Sequence, residues 1–367
     1  MSKRTYSCNL PFQHLATRPD GQIYPCCNFR HEETPADLNV KYDDPFYHPF
    51  FVSLRKKMLN DEYVSGCSSC YNAEIVSGSS LRTNVNSSEI YRLTKKNKEH
   101  NPLLTSIDLA FSNVCNNRCR MCGPDLSTNW YRDAEKFGPL TSNIKRKGVL
   151  SKNTILEHCD LTKLRHIRIL GGEPLMEEQK LIELLEKCNR SKLEILINTN
   201  TTIRPYGRLF QLLKELKAVY FMLSVDAVGV LNNFLRKGSN WQEVDSNIKW
   251  FVNEFGSNVI IHSVISIYNV NLFNNLTDYC KELGVWHEFA LVDGPKWMMP
   301  RNLPVKIKNC LIKRYKDNTD IACKLVISEL NKNGNIEIFK DADTQLNKIR
   351  KESWRDLNPW LYDKIYK

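Results

Sequence analysis

From about residue 102 the chain alternates short apolar runs with segments whose apolar residues recur near every 3.6 positions. The runs Leu104–Phe111, Leu164–Leu170, Leu193–Asn198, Ala218–Val225, Val259–Ile267 and Val285–Val292 predict strands. Between them Leu126–Phe137, Glu178–Asn189, Tyr206–Leu216, Trp241–Phe255 and Leu272–Leu283 predict amphipathic helices. This alternation is the mark of a parallel sheet, so the expected fold class is α/β, a partial (β/α)6 barrel of TIM type. Beyond about Pro300 the pattern predicts C-terminal helices, two of them, with a short apolar strand, Ile336–Phe339, between.

The first 95 residues read differently. They hold five cysteines, many turn formers and few long periodic segments, which predicts a small cysteine-rich module held together by a metal. The polar stretch Leu93–Asn101 separates it from the barrel. The expected organisation is a module over 1–95, a barrel over 102–295 and a helical extension over 296–367.

Composition narrows the class. With 367 residues, 42% hydrophobic and 25% charged, the chain can bury a substantial core. No apolar run approaches the roughly 20 residues of a membrane span, and MSKRTYSCNLPF lacks the apolar centre of a signal peptide, so a cytoplasmic protein without a membrane partner is expected. In that setting 13 cysteines point to metal ligation or redox chemistry instead of disulfides. Cys159, Cys188, Cys280, Cys310 and Cys323 stand singly among apolar residues, where a thiol behaves as a small hydrophobe. A formal charge of +11 suits an acidic substrate, nucleic acid or an acidic electron donor. The lysines are spread along the chain, and no basic stripe interleaved with aromatics supports nucleic-acid binding.

The chemistry collects at predicted strand ends. Cys115, Cys119 and Cys122 follow the first barrel strand with the spacing C-x3-C-x2-C, which lets one loop offer three thiolates to three corners of a 4Fe-4S cube. The fourth iron is then open to a substrate, as in catalytic metal sites. A zinc site or three unrelated thiols are the alternatives, although no histidine flanks the triplet. Gly171-Gly172-Glu173-Pro174 follows the second strand, Asn198-Thr199-Asn200 ends the third and Ser224-Val225-Asp226 the fourth. In a barrel all four groups are expected to face one cavity.

With this loop the chain resembles the radical S-adenosylmethionine (SAM) superfamily. The resemblance implies reductive cleavage of SAM to a 5'-deoxyadenosyl radical that abstracts hydrogen from a substrate, with a flavodoxin or ferredoxin as electron donor. It also implies roles for residues around SAM. Met121 stands where an aromatic residue commonly packs near the adenine. Gly171, Gly172 and Glu173 match the segment that approaches the methionine ammonium, and Asn200 or Asn198 is a further contact candidate. Ser224 and Asp226 match a ribose-contacting strand, and Arg236, ten residues on, matches an arginine that pairs with the SAM carboxylate. Two departures are Ala227 and Thr201, each where a glycine is usual.

The N-terminal cysteines resemble a twitch or SPASM auxiliary-cluster module, which in most relatives follows the barrel. The expected ligands of a second 4Fe-4S cluster are Cys8, Cys26, Cys67 and Cys70, with Cys27 the substitute for Cys26 and a zinc site the alternative. The twitch and SPASM resemblance favours a peptide or protein side chain as substrate. A nucleotide, tRNA or small metabolite is the other substrate class, and a zinc protein that binds nucleic acid is the rival of a different kind.

Overall fold

The structure, a computed structural model, describes residues 5–35, 44–92, 101–137 and 154–367. Eight strands stand in one sheet among the described residues: β1 (His14–Thr17), β2 (Ile23–Tyr24), β3 (Ser106–Ala110), β4 (His166–Leu170), β5 (Glu194–Thr199), β6 (Ala218–Ser224), β7 (Val259–Ile265) and β8 (Trp286–Leu291). Their order is β2-β1-β3-β4-β5-β6-β7-β8. The β1–β2 pair is antiparallel, whereas β1–β3, β3–β4, β4–β5, β6–β7 and β7–β8 are parallel. The six expected strands are present as β3 to β8, five of them shorter by one to three residues and β5 shifted by one residue at unchanged length.

The other two strands come from the cysteine-rich segment. His14, Leu15 and Ala16 pair with Ser106, Ile107 and Asp108, so β1 extends the sheet beyond β3. Only four residues long and buried throughout, β1 carries too short an apolar run to announce itself by periodicity.

Helices follow the strands as expected at Glu178–Lys187, Gly207–Lys214, Trp241–Phe255 and Phe273–Leu283. In each, leucine, isoleucine, valine or phenylalanine at three- and four-residue spacing faces inward, as Leu181, Leu184 and Leu185 do. The helix expected over Leu126–Phe137 is instead a 3-10 turn, Thr128–Trp130, and a single α-turn, Tyr131–Ala134. Its first residues are drawn into a turn in which the Leu126 and Ser127 amides both donate to the Gly123 carbonyl.

The tail differs from the expectation most. Ile336–Phe339 is not a strand but the first turn of a helix, Ile336–Arg350. Asn335 caps it by accepting the Glu337 amide at 2.9 Å, and Phe339, Asp343, Leu346 and Arg350 are buried at helical spacing. A four-residue apolar run cannot by itself distinguish strand from helix. Helices Val305–Tyr315, Ile321–Leu330 and Pro359–Tyr366 complete a tail of four helices among the described residues.

The chain divides into two compact units. One comprises 1–112, 148–197 and 205–219; the other comprises 113–147, 198–204 and 220–367. The second unit has an extensive core in which Phe234, Tyr268, Met298, Phe339 and Trp354 pack with apolar faces of the tail helices. In the first, Leu10, Phe12, Phe29, Leu54, Met58 and Val85 form a smaller core beside Cys8. The polar stretch Leu93–Asn101 lies, apart from Asn101, outside the described residues. No helix among the described residues is long and apolar enough to cross a membrane. No disulfide joins any of the 13 cysteines; Cys188, Cys280 and Cys323 are buried as small hydrophobes, Cys159 is half-buried, and Cys310 is exposed, contrary to expectation.

Candidate functional site

The second unit holds the cysteine triplet in a loop pinned from several directions. The Arg118 and Arg120 amides donate to the carbonyls of Lys237 and Leu235 at 2.7 and 2.8 Å. The Trp130 indole donates to the Cys119 carbonyl at 2.7 Å, and Asn129 Nδ2 donates to the Asn116 carbonyl at 2.7 Å. Gly238 makes the approach possible: its φ is +113°, and a Cβ there would lie 2.7 Å from the Asn116 carbonyl oxygen.

Cys115 and Cys119 are buried and Cys122 is half-buried. The Cys115 sulfur accepts the Asn117 amide at 3.4 Å and lies 3.8 Å from Asn200 Nδ2. A hydrogen bond from Cys122, with the Arg236 guanidinium assisting, pulls the Cys119 thiol below its ordinary value despite burial. Cys122 moves the opposite way, raised by the same hydrogen bond and by burial. Asn117 is fully buried, and neither atom of its side-chain amide has a hydrogen-bond partner among the described residues. Three thiols on one loop, a thiol poised to ionise and an orphaned amide beside them fit a thiolate-ligated iron-sulfur group.

Around the triplet the strand-end residues have definite partners. Asn200 is buried, donates to Asn116 Oδ1 at 2.7 Å and accepts the Thr202 amide at 3.0 Å. Thr201 takes φ +69°, the left-handed conformation that a glycine would adopt without strain, so the departure from glycine leaves the backbone in that region. Asp226 is fully buried; Arg236 meets it at 2.7 Å, and the Val264 amide donates to it at 2.8 Å. Ser224 closes β6 opposite His262. Met121 packs against the large apolar core of this unit.

Arg120, between the last two cysteines, escaped sequence reasoning. It is fully buried; its guanidinium donates to Tyr268 Oη at 2.9 Å and Glu352 Oε1 at 2.7 Å, binds Asn347, meets Asp343 at 3.3 Å and stacks over Phe234 at 3.7 Å. Arg350 adds a second clamp, donating to Asp133 at 2.7 Å and to the Arg118 carbonyl at 2.8 Å. The tail helices thus grip the cysteine loop. The GSN turn after Arg236 hinted at Gly238, but nothing local announces Arg120.

The first unit carries the Gly-Gly-Glu turn at the end of β4. Gly171 has φ +121° and a Cβ there would stand 2.7 Å from the Ser112 carbonyl, to which the Gly172 amide donates at 2.9 Å. Glu173 is buried and caps the turn Pro174–Glu177 by accepting the Leu175 amide at 3.1 Å.

The same unit draws four of the N-terminal thiols together. Cys8, Cys26, Cys67 and Cys70 line one small pocket alongside Asn28, Phe29 and Arg82. Cys27 is exposed and takes no part in that lining. Burial, with Cys8 and Cys70 nearby, pushes the Cys67 thiol up to about 12, and burial raises Cys26 too. Gly66 is required here, since a Cβ would collide with the Phe29 ring. The thiols stand around the pocket and do not close on a point: no three His, Cys, Asp or Glu side chains among the described residues are arranged to hold a single ion.

Comparison with known proteins adds the family. The model of the Radical SAM superfamily matches residues 109–278. No curated protein matches the chain. Among solved structures, anSMEcpe with bound AdoMet is 21% identical, with a TM-score of 0.40 and 58% of each chain covered. Streptococcus suis SuiB bound to precursor peptide SuiA is 19% identical, TM-score 0.38, covering 71% of this chain and 61% of that one. SuiB bound to S-adenosylmethionine is 20% identical, TM-score 0.37, covering 73% and 60%. The chain therefore spans about three fifths of the length of these structures. Residues 109–278, a little under half of the chain, therefore resemble the Radical SAM superfamily, and this match supports an enzyme.

Proposed function

We propose that the chain holds a 4Fe-4S cluster on Cys115, Cys119 and Cys122 and uses it to cleave SAM, with a peptide or protein side chain as substrate. The observation that carries the reading is the triplet loop itself, with buried thiols, Cys119 disposed to ionise and the unpartnered Asn117 amide at its base. A cluster held by these three thiols would supply the electron for reductive cleavage of SAM and so the means of hydrogen abstraction from the substrate.

The chain's own residues supply placement. Arg120 and Arg350 fix the loop from behind, so the thiols need little rearrangement on loading. Asn200 holds Asn116 in place, and its amide faces the Cys115 sulfur. Arg236 offers positive charge to Cys119 and Cys122 and, while held by Asp226, a fixed guanidinium for the SAM carboxylate. Gly171, Gly172 and Glu173 are assigned to the methionine ammonium, Ser224 and Asp226 to the ribose, and Met121 to the adenine. The burial of Asp226 and its pairing with Arg236 make a carboxylate contact to ribose the least accessible of these roles.

In the N-terminal pocket, Cys8, Cys26, Cys67 and Cys70 are assigned to a second, fully ligated 4Fe-4S cluster in a twitch-like module. Four thiols lining one pocket supply the full ligand set of a cube, with a zinc ion on the same four the alternative. The proposed electron donor is a reduced flavodoxin or ferredoxin, and the proposed compartment the cytoplasm, where thiols stay reduced. The test is an anaerobic assay for 5'-deoxyadenosine with dithionite. Cys119→Ser is expected to abolish its formation, and full SAM cleavage by that variant sinks the assignment.

A further inference from the structure

Arg82 lines the four-thiol pocket from helix Leu81–Ser87, and it is buried. Every nitrogen of its guanidinium is engaged. Nε and one terminal nitrogen donate to the two oxygens of Glu74, and the other terminal nitrogen donates to the Ser7 carbonyl at 2.9 Å. Ser7 directly precedes Cys8, and Asn86 Nδ2 holds the same carbonyl at 2.9 Å. Glu74 lies one turn beyond Cys70 on helix Ser68–Ser77 and also accepts from Ser80 Oγ at 2.6 Å. One side chain therefore joins the segment that presents Cys8 to the helix that presents Cys70.

The arrangement is also polar. Arg82 borders the pocket and Glu74 does not, and the charge of Arg82 acts on Cys67 and Cys8, so the cation of this ion pair stands nearer the thiols than the anion. Four thiolates around a cube concentrate negative charge, and reduction adds one more. A buried cation at the pocket wall stabilises the reduced state, because charge near a cluster sets its potential.

From this geometry we infer that Arg82 is the positioning residue of the four-thiol pocket: it sets the spacing of Cys8 against Cys70 and raises the reduction potential of an iron-sulfur cluster bound there. The inference rests on the cluster reading of that pocket given above. It is tested on the full chain, reconstituted anaerobically, by iron and sulfide analysis and by a redox titration followed by electron paramagnetic resonance.

Wild type is expected to carry about eight irons, two cubes' worth, and Cys70→Ser about half of that. Arg82→Gln is expected to move the midpoint of the Cys70-dependent signal to more negative potential and to leave the triplet's signal in place. Glu74→Gln, which removes the negative end, is expected to move it the other way, and Arg82→Lys to recover most of the Arg82→Gln shift. Opposite shifts cannot come from general loosening of the fold. Should Arg82→Gln fail to fold, the sign of the Glu74→Gln shift alone decides. Midpoints that stay put, or that move the same way in both variants, overturn the role of Arg82 and leave the second cluster standing. About four irons in both wild type and Cys70→Ser overturn the cluster reading, and the inference with it.

Discussion

Replacing Arg120 with methionine keeps most of the side-chain volume and removes the charge that ties the cysteine loop to the tail. The guanidinium is fully buried against Asp343 and Glu352, so its loss leaves anionic partners in a site closed to water. Breaking a buried ion pair from one side costs about 3–5 kcal/mol. Here the lower end applies, because both acids keep other partners. Asp343 still accepts from Tyr268 Oη at 2.6 Å, Trp354 Nε1 at 2.9 Å and Tyr366 Oη at 2.6 Å, and Glu352 still meets Lys237 at 2.8 Å. A loss of about 3 kcal/mol is a large part of the roughly 5–15 kcal/mol that stabilises a domain. In urea unfolding of the unloaded protein, Arg120→Met should lower the midpoint accordingly without changing the slope. Iron uptake at the triplet should fall too, since Cys119 and Cys122 flank the residue removed. A stability loss below about 1 kcal/mol, the range of exposed pairs, would refute the claim that the tail clamps the loop through this residue.

Further tests address other parts of the structure. Gly238→Ala forces a side chain into φ +113° with its Cβ 2.7 Å from the Asn116 carbonyl, and should cost about 1–3 kcal/mol from backbone strain together with iron at the triplet; an unchanged unfolding midpoint would contradict the close approach. Burial depresses His287 to about 4, and its Nε2 hydrogen-bonds with Ser263 Oγ at 2.6 Å. The unfolded chain takes up the proton near the ordinary value of 6.5, so this contribution is intact above that pH and is lost as pH falls toward 4. His287→Gln should flatten the decline, read from urea midpoints across that window; an equally steep decline in the variant would count against it. In brief alkylation followed by mass spectrometry, the exposed Cys27 and Cys310 should react first, and Cys280 and Cys323 only after unfolding; early labelling of Cys323 would contradict the buried tail core.

Much of the molecule was legible because its signals are local. Each strand from β3 to β8 announced itself by an apolar run, and the Cys115, Cys119, Cys122 spacing and the Gly-Gly-Glu turn needed only their neighbours in sequence. The parts that were not legible share a cause. The choice between Cys26 and Cys27 depends on which sulfur the backbone turns toward the pocket, and the bare pair of residues carries no sign of it. The run Ile336–Phe339 could be helix or strand until Asp343, Leu346 and Arg350 found burial on the same face. The Phe29 ring decides that residue 66 must be glycine, from 37 positions away.

The sequence by itself determined the parallel α/β class and the spacing of the cysteine loop, because strand propensity and helical period act over a few residues. Tertiary structure alone decided how those groups are held. Arg120 reaches Asp343 and Glu352 across 223 and 232 positions, and Arg82 reaches Ser7 across 75. Such pairings depend on which faces the fold brings together and which charges it must neutralise away from water, and no window of sequence contains both partners.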